Sequence, residues 1–145
     1  MSIRETVARS YLAQNLSDEQ VDAIAALAHE VQFFDGDPII RTDEESTDLF
    51  LIRSGAASVE VVEGEIIAHA GPGMIMGEVA LLDEKPRSAT VRALGDCECV
   101  VIPSPRLREY LDAHPAVERI VLRNIAKTLC ARLRQANHQI ETLLQ

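Results

Sequence analysis

The sequence predicts a mainly β fold with flanking helices, in the α+β class, on three observations. The first 30 residues show a helical pattern, residues 31–103 form a series of short β-like runs, and a helical pattern returns over residues 104–145. Many short strands separated by turn residues are typical of a β-sandwich or barrel. With 145 residues, 47% of them hydrophobic, the chain has the profile of one globular domain, so we expect a single domain over residues 1–145.

The N-terminal lead is predicted to be helical over residues 3–29. Ser17 and Gln20 have the spacing of a capping box, in which each side chain bonds the other residue's backbone N–H. Apolar residues then recur at helical spacing, at Val21, Ile24, Leu27 and Ala28.

The middle segment reads as strands joined by tight turns. Residues 58–61 alternate polar and apolar side chains, as in a strand with one buried face. The run from Asp35 to Pro38 is typical of a β-turn. Cys97 and Cys99 would point to the same face of a strand, where we expect them to pack as buried free thiols rather than to bind a metal.

The C-terminal segment predicts two helices. A short helix runs from Pro105 to about Ala113 and ends before His114-Pro115, and a long helix follows to the last residue. Apolar side chains recur along it at alternating steps of four and three, at Leu122, Ala126, Leu129, Leu133, Ala136, Ile140 and Leu143. This heptad seam favours a homodimer through the final helix, and packing of that helix on its own barrel is the alternative.

Charge and composition exclude several classes of function. The formal charge is −9, with 4 basic and 17 acidic residues in 1–84 but 10 basic and 6 acidic in 85–145. An acidic total with few aromatic residues argues against binding nucleic acid, and the split places any anion site in the second half. The chain contains no apolar run of about 18 residues, so we expect no membrane insertion. Three cysteines without a signal peptide indicate a soluble protein of the reducing cytoplasm.

One segment, residues 71–93, carries recognisable chemistry, and we refer to it as the cassette. Gly77-Glu78 opens a short helix-competent stretch, whose first backbone N–H groups could meet an anion. Arg87-Ser88 then offers a guanidinium fork and a hydroxyl, and arginine is suited to bidentate phosphate binding. Glu78 fits if the ligand also brings a ribose hydroxyl. The alternative is a hairpin with a surface ion pair between Arg87 and Glu78, which would be worth little.

These residues resemble the cyclic nucleotide-binding domain family, of the catabolite-activator and protein-kinase-A regulatory type. The resemblance rests on Gly77-Glu78-Val79-Ala80-Leu81-Leu82 and on Pro86-Arg87-Ser88-Ala89-Thr90-Val91-Arg92-Ala93, with support from residues 49–55. It implies an eight-stranded jelly-roll β-barrel with N-terminal helices and a long C-terminal helix. It also implies a 3′,5′-cyclic nucleotide as ligand and no other cofactor.

The resemblance assigns roles to named residues. Arg87 would pair with the cyclic phosphate and Glu78 would accept the ribose 2′-hydroxyl. Gly77, Val79, Ala80 and Ser88 would line the phosphate and ribose, and Arg132 would meet the base from the final helix. A serine at position 88 is similar to that of cyclic AMP binders and favours cyclic AMP over cyclic GMP. Arg132 as a solvated helix residue is the alternative to a base contact.

Together these features predict a non-catalytic cyclic nucleotide receptor whose final helix moves on binding. The four histidines are far apart, so a metal-dependent enzyme is disfavoured and no metal is expected. A dimerisation scaffold with a vestigial cassette is the alternative function. The final helix is similar to that of bacterial stand-alone or C-terminal domains without a DNA-binding module. We therefore expect a complete single-domain sensor that acts on a protein effector the sequence does not name.

Overall fold

The computed structural model describes residues 1–60, 65–83, 85, 87 and 89–144. Its helices are α1 (Ile3–Arg9), α2 (Asp18–Ala25), α3 (Glu78–Asp83), α4 (Ser104–Ala113) and α5 (Pro115–Leu144), with a 3₁₀ turn at Tyr11–Ala13. Its strands are β1 (His29–Phe33), β2 (Pro38–Ile40), β3 (Leu49–Glu60), β4 (Ile66–Ala70), β5 (Ile75–Met76) and β6 (Thr90–Ile102). This order confirms the predicted β fold with flanking helices.

The N-terminal lead is helical but shorter than predicted. The capping box is confirmed, because the Gln20 backbone N–H donates to the Ser17 hydroxyl and the Ser17 N–H donates to the Gln20 side chain. The predicted helical span of residues 3–29 is wrong at its end. Helix α2 ends at Ala25, and by His29 the chain is paired with β6 as strand β1. Strand pairing thus takes over where the helical apolar spacing still continued.

The strands form one antiparallel sheet that bends into two halves. Among the described residues, the first half of the sheet contains β1, β5, the end of β6 and the start of β3. The second half contains β2, β4, the start of β6 and the end of β3. The two long strands change register near Gly55 and contribute a segment to each half, so each half has four strand segments joined by three pairings, which gives the eight segments of the predicted jelly roll. Gly55 has φ +90°, and a Cβ there would overlap the Asp96 carbonyl oxygen. Glycine is therefore required at this bend.

Two apolar layers hold the fold together. Alternate residues of β3 and β6 face opposite ways, so Leu51 and Val100 pack under the helices while Ile52 and Val101 fill the barrel. The β-turn predicted from Asp35 to Pro38 lies one residue earlier, at residues 34–37, where the Asp37 N–H donates to the Phe34 carbonyl and Pro38 already begins β2. The two strand thiols also point into the barrel and are fully buried, as expected.

Helix α5 is anchored at its start and exposed at its end. The buried Asn124 side chain donates to the Leu12 and Gln14 carbonyls, each at 2.9 Å, and so ties α5 to the 3₁₀ turn. From residue 130 to residue 144 every described position is exposed. The C-terminal part of the heptad seam, from Leu133 to Leu143, is therefore not covered by the chain's own barrel. None of the described helices is long and apolar enough to cross a membrane.

Candidate functional site

A cavity of about 520 Å³ lies between α3, the barrel and α5. Its barrel wall is mostly apolar and is formed by residues of β2, β3, β4, β5 and β6, with Ile40, Val59, Ala70, Met76 and Val91 among them. Charged groups line the other side, at Glu78, Asp83, Lys85, Arg87 and Arg132. A pocket with an apolar wall and a few converging polar groups has the size and character of a small-ligand site.

Gly77 lies where the backbone passes close to the Arg87 side chain at the wall of the cavity. Its φ of +89° lies in the left-handed region that glycine adopts without strain. A Cβ at this position would lie 2.5 Å from the Arg87 Nη1 atom and 2.8 Å from the Asp48 carbonyl oxygen. Only glycine therefore lets the backbone pass this close to the guanidinium group.

Arg87 is a buried cation that two backbone carbonyls hold in place. The residue is 6% exposed, its Nη1 donates to the Gly77 carbonyl at 3.0 Å, and its Nη2 donates to the Asp48 carbonyl at 2.6 Å. The Nε atom is buried without a hydrogen-bond partner, and among the described residues no carboxylate forms a salt bridge with Arg87. Burial lowers the pKa of Arg87, although Glu44, Asp48 and Glu78 oppose the shift.

This environment leaves Arg87 short of negative charge. A buried charge is costly unless an opposite charge compensates it, and a buried donor without a partner adds to the cost. Two backbone carbonyls fix the orientation of the guanidinium at the wall of the cavity, and its Nε atom has no hydrogen-bond partner among the described residues.

Glu78, the first residue of α3, is the buried carboxylate of the site. It is 2% exposed, and its Oε1 lies 2.5 Å from Nη1 of Arg132 on α5. The Tyr11 hydroxyl is also buried here and has no hydrogen-bond partner among the described atoms. Burial, reinforced by the negative charge of Glu78, raises the pKa of Tyr11. Glu78 thus connects the cassette to α5 and borders the N-terminal lead.

The structure brings most of the predicted site residues together. Gly77, Glu78, Val79, Arg87 and Arg132 all line the one cavity. Ala80 lies in α3 beside them, and Ser88 lies outside the residues that the structure describes. The alternative of a surface ion pair between Arg87 and Glu78 is wrong, because both residues are buried and Glu78 pairs with Arg132 instead.

Sequence reasoning missed the groups that hold this arrangement in place. The Asp48 carbonyl that orients Arg87 precedes β3 by one residue, and a backbone acceptor leaves no signal in the side-chain pattern. Tyr11 lies in the N-terminal lead, far from the cassette in sequence. His69 and Lys85 border the cavity as well. Lys85 lies within the cassette and His69 lies two residues before it, and those positions are their only sequence signal. Within the described ranges, no three histidine, cysteine, aspartate or glutamate side chains gather as they would around a metal ion.

The curated proteins that this chain resembles include two much longer glutaminases. The chain is 33% identical over 132 residues to glutaminase 2 of Bradyrhizobium diazoefficiens, an alignment that covers 91% of this chain but 21% of the glutaminase. The chain thus spans about a fifth of the length of the curated relatives it matches. The glutaminase name belongs to the much longer protein.

Solved structures show the same fold. A cyclic nucleotide-binding domain from Methylobacillus flagellatus KT aligns with a TM-score of 0.82 at 26% identity, over 96% of this chain and 80% of that one. The catabolite activator protein of Thermus thermophilus aligns with a TM-score of 0.76 at 29% identity, over 92% of this chain and 63% of that one.

The sequence profile of the cyclic nucleotide-binding domain matches residues 30–114, which include nearly all of β1, strands β2 to β6 and the whole cassette. More than half of the chain is matched, and the match spans the barrel walls of the cavity together with Gly77, Glu78 and Arg87. The chain therefore belongs to the cyclic nucleotide-binding domain family.

Proposed function

We propose that this chain is a non-catalytic receptor for a 3′,5′-cyclic nucleotide, and for cyclic AMP rather than cyclic GMP. The observation that carries the proposal is the buried Arg87 guanidinium, which borders a cavity of suitable size with its Nε unpaired. A cyclic phosphate has one negative charge and two exocyclic oxygens, so it could compensate the cation and occupy the free donor. The preference for cyclic AMP rests on the serine at position 88.

The remaining parts of the cavity suit the rest of such a ligand. Gly77 and the first backbone N–H groups of α3, near Val79 and Ala80, would lie along the phosphate and ribose. Glu78 would accept a hydrogen bond from the ribose 2′-hydroxyl, since an ionised carboxylate is an acceptor only. The apolar barrel wall would cover the base, and Arg132 would approach it from α5.

Ligand binding would be coupled to α5 through Glu78. In the structure Arg132 occupies the carboxylate that we assign to the ribose hydroxyl. A bound nucleotide would therefore compete with Arg132 for the Glu78 carboxylate. Arg132, once displaced, would be free to meet the base. A ligand shifts a conformational equilibrium only through contacts that differ between the two states, and this exchange supplies such a difference.

We further propose that α5 joins two copies of the chain. The heptad seam leaves Leu133, Ile140 and Leu143 exposed, with Leu143 85% accessible, and a second identical helix would bury the same positions. Light scattering in solution should give the mass of a dimer, and Leu133→Glu with Ile140→Glu should give the monomer. Arg134→Glu with Gln139→Glu, which changes neighbouring polar positions, should leave the dimer intact. A monomeric wild-type chain would contradict the dimer without touching the ligand proposal.

The proposed output is regulatory rather than chemical, and we place the protein in the cytoplasm on its free cysteines. A nucleotide-dependent change in α5 would be transmitted to a protein effector. Because the chain spans only a fifth of the glutaminases it resembles, their reaction is not part of this proposal.

Isothermal titration calorimetry tests the proposed ligand directly. Cyclic AMP should bind more tightly than cyclic GMP, and 5′-AMP, which keeps the base but opens the phosphate ring, should bind more weakly than either. The proposal fails if neither cyclic nucleotide produces saturable heat at about 1 mM, a concentration that corresponds to only about −4.1 kcal/mol of binding free energy.

A further inference from the structure

A second cluster of positive charge lies on α5, outside the cavity. Arg119, Arg123 and Lys127 recur at every fourth residue and therefore share one face of the helix. They border a groove of about 230 Å³ whose other lining residues are Asn15, Ile120 and Asn124. Their Cα atoms are about 6 Å apart along the helix axis, as the rise of four residues dictates.

These three cations lack acidic partners in the described part of the chain. Its salt bridges use Arg4, Arg53, Arg92, Arg108 and Arg132, and none involves the groove. Like charges four residues apart on a helix repel each other and destabilise it. The chain has a net charge of −9, so acidic residues are plentiful, yet none of those described neutralises this face. Three exposed cations thus line this groove without a salt bridge among the described residues, in a protein that is acidic overall.

Two asparagines in the wall of the groove, Asn124 and Asn15, are held in place by the fold. Asn124 is 4% exposed and its side-chain amide is fixed by the Leu12 and Gln14 carbonyls. Asn15 has φ 67°, a left-handed turn conformation that asparagine tolerates. A preorganised wall lowers the entropic cost of binding.

We infer that this groove is a second anion site, separate from the nucleotide cavity, for a short linear phosphate chain. Two guanidinium groups and an ammonium on long side chains can converge on one anion of high charge density, and arginine binds phosphate through paired N–H donors. The groove is less than half the volume of the nucleotide cavity and suits a compact polyanion. An anion held here would bridge Asn15 of the N-terminal lead and α5, so it would strengthen their contact.

The probe is inorganic triphosphate, titrated into the wild-type chain by calorimetry at low ionic strength. Arg123→Gln should weaken its binding about tenfold, since hydrogen bonds to charged groups are among the stronger ones. Arg106→Gln, which removes one exposed cation from α4, is the matched control and should leave the affinity unchanged. Arg87→Ala should also leave triphosphate binding unchanged, because Arg87 lies in the other site.

Each alternative gives a distinct result. Equal losses in Arg106→Gln and Arg123→Gln would show that net charge alone drives binding and would overturn the site. Loss of triphosphate binding in Arg87→Ala would place the anion in the nucleotide cavity instead. Tighter binding of a hexaglutamate peptide than of triphosphate would overturn the phosphate class in favour of an acidic protein segment. Failure of cyclic nucleotides to bind would leave the triphosphate result intact, so the two proposals are tested separately.

Discussion

Arg132 of α5 and Glu78 at the start of α3 form an ion pair between a half-exposed guanidinium and a buried carboxylate. The pair joins two elements that are 54 residues apart in the sequence. Arg132 thereby binds the same Glu78 carboxylate that we propose accepts a hydrogen bond from the ribose hydroxyl. The structure thus contains one contact that the helix and the proposed ligand would both use, which gives a physical basis for coupling between them.

Removal of this ion pair should loosen α5. In Arg132→Gln we expect faster amide hydrogen exchange in the turns of α5 around residue 132, because the helix loses its link to the cassette. Arg134→Gln removes the same charge from an exposed position nearby and should exchange like the wild type. Unchanged exchange in Arg132→Gln would show that the pair does not restrain the helix.

The cassette should not tolerate a side chain at position 77. Gly77→Ala should destabilise the fold by about 1–3 kcal/mol, because a residue with a Cβ is strained at this φ and would also clash with the Asp48 carbonyl. Gly73→Ala is the matched control, since Gly73 has φ +87° but a methyl group there would meet no atom within 4 Å. Chemical denaturation should therefore give a larger loss for Gly77→Ala. Equal losses would mean that backbone strain alone matters there.

The anchor between α5 and the N-terminal lead should make a measurable contribution to stability. Asn124→Ala leaves two carbonyls without their donor and should lower the free energy of unfolding by about 1–3 kcal/mol. Asn137→Ala, at an exposed position on the same helix, should change it by less than about 0.5 kcal/mol. A similar stability for the two variants would rule out the anchor.

The three thiols should differ sharply in reactivity. Burial raises the pKa of Cys97 and Cys99, whereas Cys130 is exposed. A disulfide reagent should therefore modify one thiol quickly in the folded chain and the other two only on unfolding, and Cys130→Ser should remove the fast reaction. Two or three fast thiols in the folded wild type would contradict the buried placement.

The same burial predicts how stability depends on pH. A thiol whose pKa is raised by folding is protonated in the native state, so its ionisation favours the unfolded chain. The contribution is complete below the ordinary thiol pKa of about 8.5 and is lost as the pH rises above it. The free energy of unfolding should fall in that range, and Cys97→Ala with Cys99→Ala should reduce the slope. An unchanged slope would assign the pH dependence to other groups.

Local patterns predicted the parts of the fold that local physics determines. The capping box of Ser17 and Gln20 involves neighbours in sequence, and the break before Pro115 follows from the geometry of proline. Asp43 adopts φ 66°, a left-handed turn conformation that aspartate tolerates. By contrast, the end of α2 was overestimated because pairing with a strand about 70 residues away decides it.

The candidate site could likewise be predicted where it depends on residue types in one segment, but not where it depends on contacts between distant segments. The residue types of the cassette pointed to Gly77, Glu78 and Arg87, and the structure places all three around one cavity. The partner of Glu78 could not be derived from spacing, because the ion pair depends on where α5 crosses α3. Likewise, the carbonyls that orient Arg87 belong to the backbone and have no signature in the sequence.

The most direct test of the central claim compares cyclic AMP with adenosine on the wild type and Arg87→Gln. The account predicts that Arg87→Gln loses about 2–5 kcal/mol of binding free energy for cyclic AMP, as expected when one partner of a buried charged pair is removed. Adenosine lacks the phosphate, so its weaker binding should be the same in both proteins, which also shows that the cavity is intact. An equal loss for both ligands, or an undiminished affinity of Arg87→Gln for cyclic AMP, would contradict the assignment of Arg87 to the phosphate.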